Sequence, residues 1–217
     1  MKTLKKSLLV LFISAFLCEL MLGGTLLAAK EKSKDKNPEL INGETLEINP
    51  KLSSIRWYGS GLNLEQTGSI RVKKGKVQVS KQGELLAAEI IIDMNSISND
   101  NLSGELQAKI VEHLKSADFF EVKKFPEASF KSSSVTKISD KRYQLNGQLG
   151  IKNAKKNTNI VGFYTTDGFN YSFKGNFIFD RTEYGIKYNS AKFFGELGDK
   201  LVADTVKLSF DIKANPS

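Results

Sequence analysis

Few residues in this chain are equipped for chemistry. It contains one histidine, His113, and one cysteine, Cys18. Tetrahedral metal sites draw on several His, Cys or acidic ligands, and no second histidine or cysteine stands near His113. That residue sits beside Leu114 at the end of a predicted helix, where a protonated imidazole complements the negative pole of the helix dipole. Gly59-Ser60-Gly61 lacks the flanking pattern of a nucleophile elbow or a phosphate loop. Arg181, in Asp180-Arg181-Thr182-Glu183, has two readings: an ion pair with Asp180 or Glu183, or a clamp for an anionic head group at the rim of a sheet structure. Asp180, Asp199 and Asp204 read as solvated turn residues. Catalytic residues, metals and cofactors are therefore not expected, and the chain reads as a non-enzyme.

The apolar residues are the better lead. Fourteen phenylalanines occur in 217 residues, and several recur at every second position. Val206, Leu208, Phe210 and Ile212 alternate with Lys207, Ser209, Asp211 and Lys213. Tyr143, Leu145, Gly147, Leu149 and Ile151 repeat the pattern, as do Phe173, Gly175, Phe177 and Phe179. Alternation over many segments predicts antiparallel strands with one dry and one wet face. Glycine and Asn/Asp/Ser clusters at 73–76, 81–84, 139–142, 153–159 and 166–170 read as hairpin turns. About eight strands result, enough to close a barrel. Gly147 and Gly175 on the dry faces leave space that aromatic side chains alone would fill.

One stretch breaks the period. Leu102, Leu106, Ile110 and Leu114 recur every four residues and predict an amphipathic helix. Residues 188–197, with Phe193 and Phe194, predict a shorter helical turn. Together the two segments would cover one mouth of a barrel.

The N-terminus opens with Lys2, Lys5 and Lys6 before an apolar run from Leu8 to Leu17, and small residues follow at Ala28-Ala29. This is the outline of a secretory signal peptide at 1–29. Cleavage after it removes Cys18 and leaves no thiol; the alternative keeps Cys18 as the lipidated anchor of a lipoprotein. A charged linker follows at 30–40, then one domain at 41–217. The formal net charge of the whole chain is +8. Its lysines are scattered among acidic residues, which suits solubility and weak contact with anionic membrane surfaces and gives nucleic-acid binding no support.

The segments IIDMNSI at 91–97, HLKSADFFEVKKFPEASF at 113–130 and DRTEYGI at 180–186 resemble the YceI family in combination and in order. The likeness spans 52–213. It implies an all-β fold, an antiparallel eight-stranded lipocalin-like barrel with a short covering helix, located in the periplasm or secreted. The lumen of such a barrel takes a long apolar chain: a polyisoprenoid, an isoprenoid quinone, or a fatty amide or acid. Its expected lining comprises Trp57, Ile90, Ile92, Met94, Phe119, Phe120, Phe130, Leu145, Leu149, Phe163, Phe173, Phe177, Phe179, Leu208 and Phe210, with Arg181 as the head-group contact. Burial of roughly 0.8 kcal/mol per CH₂ against an association cost on the order of 4–15 kcal/mol favours a long chain over a short metabolite. The expected function is storage or transport of such a lipid. The alternative is a stress-response or interaction protein whose barrel is filled by its own side chains. A homodimer is compatible with either.

Overall fold

The computed structural model describes residues 43–61 and 65–215. The predicted leader, Cys18 and the linker lie outside the described residues. Nine strands form one antiparallel sheet: β1 Gly43–Ile48, β2 Ser54–Ser60, β3 Glu65–Ser80, β4 Leu85–Asp93, β5 Glu127–Lys137, β6 Arg142–Ile151, β7 Ala154–Thr166, β8 Tyr171–Asp180 and β9 Thr205–Asn215. Among the described residues one α-helix, α1 Gly104–Lys115, follows β4.

Nine strands make eight staves. Both β1 and β2 pair with β3 on one side and β9 on the other, β1 against the second half of β3 and β2 against the first. They are one stave broken by a turn at 49–53. There the Asn49 side chain accepts from the Lys51 and Leu52 amides, and Ser53 hydroxyl donates to the Asn49 carbonyl. Asparagine followed by proline is a turn starter, so the interruption is local and the sheet closes around it. Closure leaves strand edges largely paired.

One seam is incomplete. β6 and β7 pair from Arg142/Phe163 to Ile151/Ala154. β7 and β8 pair only from Gly162/Gly175 to Thr166/Tyr171. Their upper halves diverge, and the 3₁₀ turn Arg181–Tyr184 packs against β7.

The sheet is coiled tightly by glycines whose missing side chains admit a neighbour's bulk. A Cβ on Gly68 would lie 1.9 Å from the Ser98 carbonyl oxygen and 2.6 Å from the Trp57 ring. Gly175 likewise lies under the Phe210 ring, and Gly75 under Ile48. Gly147 is occupied differently, by the β5 backbone at Lys131 and Ser132. Glycine at barrel corners covered by a large neighbour is a closure device. The space expected at Gly147 and Gly175 is therefore taken by protein.

Three turn expectations shift. The 73–76 segment is not a turn but a bulge inside β3, between Val72 and Lys74, because an extra residue there bends the strand without ending it. The 153–159 cluster contributes only its first residue to a turn. Lys152 takes φ 55° and the strand resumes at Ala154. Residues 188–197 form turns rather than a helical piece, since Asn189 and Glu196 adopt left-handed backbone, φ 46° and 53°. Turns at 81–84, 139–142 and 166–170 stand where the sequence places them.

Candidate functional site

Inward side chains divide the barrel into a sealed end and an open one. At the sealed end Leu46, Val79, Tyr143 and Ala214 are buried. Tyr143 and Tyr164 meet edge to face at 5.2 Å. The Tyr164 hydroxyl donates to the Gly83 carbonyl at 2.7 Å, and the Tyr171 hydroxyl to the Gly168 carbonyl at 3.3 Å. Burial pushes the Tyr164 phenol well above its ordinary range, so this floor stays neutral and hydrogen-bonded.

Above the floor the strands surround a cavity of about 630 Å³, within the roughly 300–1,000 Å³ typical of ligand pockets. Its walls are apolar. Ile70, Ile90, Ile92, Phe173, Leu208 and Phe210 point inward yet are only partly covered. Side chains on the inner face of a closed barrel lose their solvent exposure when the opposite wall reaches them. Here it does not, and the space between is the chamber. Phe173 and Phe210 lie 5.5 Å apart on one wall, with Phe177 and Phe179 stacked at 6.1 Å above them. Trp57 faces the chamber too; its indole N–H donates to the Ser98 carbonyl at 3.0 Å, which satisfies the one polar group of an otherwise apolar ring.

The open end is roofed by α1 and by residues 186–203. Helix α1 buries no residue completely; Ile110 and Leu114 face the cavity while Leu106 is exposed. Its start is held by Asn99, which is 1% exposed. The Asn99 amide donates to Gln66 and to the Thr67 carbonyl, and its oxygen accepts from the Leu102 amide. At the other end of the helix the Ser116 hydroxyl donates to the His113 carbonyl. His113, Phe119 and Tyr188 form a ring cluster at the mouth, with centroids 4.6–5.2 Å apart. His113 Nε2 lies 3.1 Å from Asp118 Oδ2. Gln66, Asn189 and Lys200 add polar groups at this end. The cavity thus offers an apolar depth and a polar lip.

Arg181 borders the cavity with its donors already engaged. It is 2% exposed, and its guanidinium donates to the carbonyls of Ala203, Ile186 and Val202 at 2.9 Å each and to Asp204 at 3.3 Å. Its partners are neither Asp180 nor Glu183. A side chain so engaged is a staple joining the end of β8 to the strand that enters β9. The forked donors of arginine are spent on fixed acceptors here, so the structure gives Arg181 a structural role beside its place in the cavity wall. Asp180 and Asp204 belong to the same network rather than to solvent: Asp180 accepts from the Thr182 amide at 2.8 Å and from Lys192. Gly185, at φ 76°, ends the turn in left-handed backbone and lets Ile186 fold inward, fully buried.

Fourteen of the fifteen apolar residues proposed from sequence line the cavity. Phe163 is the exception. It is 60% exposed and lies in an outer groove beside Lys174. The inward set of β7 is Ile160, Gly162 and Tyr164, and period two sends Phe163 the other way. Sequence reasoning passed over Ile160 and Tyr164 although that alternation was visible. It also passed over Ile55, Ile70, Tyr188 and Leu201, which lie in segments with no alternation long enough to fix a phase.

Among the described residues no group of three or more His, Cys, Asp or Glu side chains converges on a metal position. What this arrangement does chemically is exclude water from a long apolar surface.

A family model for the YceI-like domain matches residues 46–214. BcnA of Burkholderia cenocepacia superposes with a TM-score of 0.61 at 19% identity, covering 77% of this chain and 99% of that one. A polyisoprenoid binding domain from Saccharophagus degradans, implicated in plant cell wall breakdown, gives 0.57 at 11% identity, covering 79% and 98%. A Campylobacter jejuni YceI protein gives 0.51 at 19%, covering 91% and 99%. At such identities the structures establish a shared fold. No curated sequence matches the chain.

Proposed function

The chain belongs to the YceI-like domain family, and from that premise we propose that it is a non-enzymatic carrier or reservoir for a long apolar lipid, held in the barrel outside the cytoplasm. A single observation carries the proposal: a one-mouthed chamber with apolar walls and a hydrogen-bonded tyrosine floor. Such a shape accepts a flexible hydrocarbon tail first and leaves its polar end at the lip.

The ligand class is a polyisoprenoid, an isoprenoid quinone or a fatty amide or acid. The similarity in fold to a protein described as a polyisoprenoid binding domain supports the first of these. Walls of branched and aromatic side chains suit a branched prenyl tail. Apolar burial of roughly 0.8 kcal/mol per CH₂ makes chain length the main determinant of affinity. The lysine-led apolar segment at 1–29 supports export, by cleavage near Ala29 or by a lipid anchor on Cys18. The cavity weighs against a barrel filled by its own side chains.

Purification of the exported protein from its own host, native mass spectrometry and organic extraction test the proposal. The expected result is a discrete adduct that yields a prenyl or long acyl lipid. Extracts no richer in lipid than those of an unrelated barrel would overturn it. Intact mass also decides between cleavage near Ala29 and acylation at Cys18.

A further inference from the structure

We propose that the loop closing the mouth is a membrane-docking element, which seats the open end of the barrel on a phospholipid bilayer through Phe193 and Phe194. The inference rests on the lipid-binding reading and adds the surface from which cargo is exchanged.

The two phenylalanines are adjacent in sequence and 46% and 50% exposed. Nothing inside the barrel uses them: neither lines the cavity. Yet the segment that presents them is the one that builds the lip. Tyr188 and Asn189 on one side of the pair, and Lys200 and Leu201 on the other, all border the chamber. The backbone is held in that position. The Phe193 and Phe194 amides donate to the carbonyl of Ser190, which is fully buried, and the Val202 amide donates to the Asn189 carbonyl. Arg181 fixes the carbonyls of Val202 and Ala203 beneath. An ordered loop thus keeps two large apolar rings in water, which costs free energy unless a partner covers them.

Charge indicates which partner. Lys187 lies over the Phe193 ring, its ammonium 4.5 Å from the centroid, so a cation accompanies the apolar group wherever it inserts. The loop carries Lys187, Lys192 and Lys200 against Glu196 and Asp199. Lys192 is held by Asp180 and Asp204. Aromatic residues flanked by lysines are the make-up of an interfacial anchor, where rings enter the acyl boundary and ammonium groups meet lipid phosphates. With Lys192 offset by Asp180 and Asp204, Lys187 and Lys200 balance Glu196 and Asp199, so the rings supply the attachment and the Lys187 ammonium carried on Phe193 is the cation that meets lipid phosphate.

Flotation of the exported protein with phosphatidylcholine vesicles, with and without phosphatidylglycerol, measures docking. Phe193→Ser/Phe194→Ser is compared with Phe169→Ser, which removes a ring 75% exposed in the turn between β7 and β8 at the sealed end. Wild type and the Phe169 variant should float alike on both vesicle types, and the double variant should partition roughly tenfold less or weaker still. Thermal melts check that each variant is folded. Equal flotation of the double variant and wild type would overturn the proposal. So would equal loss in both variants, or a concentration-dependent dimer, without vesicle binding, that the same double substitution breaks. Titration of a fluorescent prenyl probe in vesicle-free buffer separates this proposal from the reading it rests on. If wild type takes up no probe yet floats through its phenylalanines, the carrier reading fails and docking stands.

Discussion

Leu208→Phe tests whether the chamber is a working lumen. Leu208 stands at mid-barrel between Trp57 of β2 and Phe177 of β8, its register partners, and is only partly covered. A larger ring at this position extends into the cavity of about 630 Å³ and displaces no protein. Leu46 is the comparison: it is 0% exposed, packed at the sealed end. Overpacking there costs about 1–3 kcal/mol, which for a domain of this size lowers Tm by about 2–12 °C. Leu208→Phe should change Tm by less than about 2 °C. The larger ring takes up about the volume of one ligand methylene, which removes roughly 0.8 kcal/mol of apolar burial, about fourfold in Kd. Differential scanning calorimetry of ligand-free protein and titration with a fluorescent prenyl lipid give both numbers. A melt depressed as far as that of Leu46→Phe, with lipid affinity unchanged, would refute the lumen.

Gly68→Ala should destabilise by about 1–3 kcal/mol or more, since its Cβ meets a carbonyl oxygen and the indole of Trp57; Trp57 is the only tryptophan, so its emission should shift with the melt. Arg181→Ala strands three carbonyls and Asp204, and a loss of about 3 kcal/mol is expected in denaturant titration. Hydrogen exchange in that variant should rise first in residues 186–204. Asp167 is held at a pKa of about 2 by hydrogen bonds from the Asn170 side chain and the Asn170 and Phe169 amides. Its folded value lies below the ordinary 3.8. The stability it contributes is therefore present above about pH 4 and lost as pH falls through about 2. Asp167→Asn should flatten the stability profile over that window, leaving the variant less stable than wild type near neutrality and equal to it only below about pH 2.

The walls were legible in the sequence wherever alternation ran long. β6, β8 and β9 alternate over about ten residues each, and their inward sets were assigned correctly. Phase was lost at glycine. In β7 the inward position between Ile160 and Tyr164 is Gly162, which carries no apolar signal, and the large neighbour Phe163 drew the assignment to the wrong face. Of the first stave the sequence shows only Trp57, because β1 and β2 are each too short to show a long period and are parted by a proline turn. Both roof segments were correctly expected at a mouth. Their contacts were not, since Asn99 and Arg181 act through backbone partners far away in sequence, and hydrogen bonds to carbonyls leave no pattern in side-chain type. The family motifs stand at such joints. In 91–97 Asp93 caps a turn by accepting from the Asn95 amide, and in 180–186 Asp180 does the same for Thr182.

The divided first stave bears on how the chain folds. It closes the barrel against the last strand: Ser53 and Lys213, 160 residues apart, exchange hydrogen bonds across that joint. Local hairpins from β3 to β8 can form as soon as each is made. The ring cannot shut until β9 arrives, so the decisive contact is also the most distant, and topologies of this kind fold on the slower millisecond-to-second scale. Until then the inner face is an open, sticky sheet flanked by two bare edges. A chain truncated before Thr205 should remain in that condition and aggregate, whereas one that includes β9 can commit to the native state.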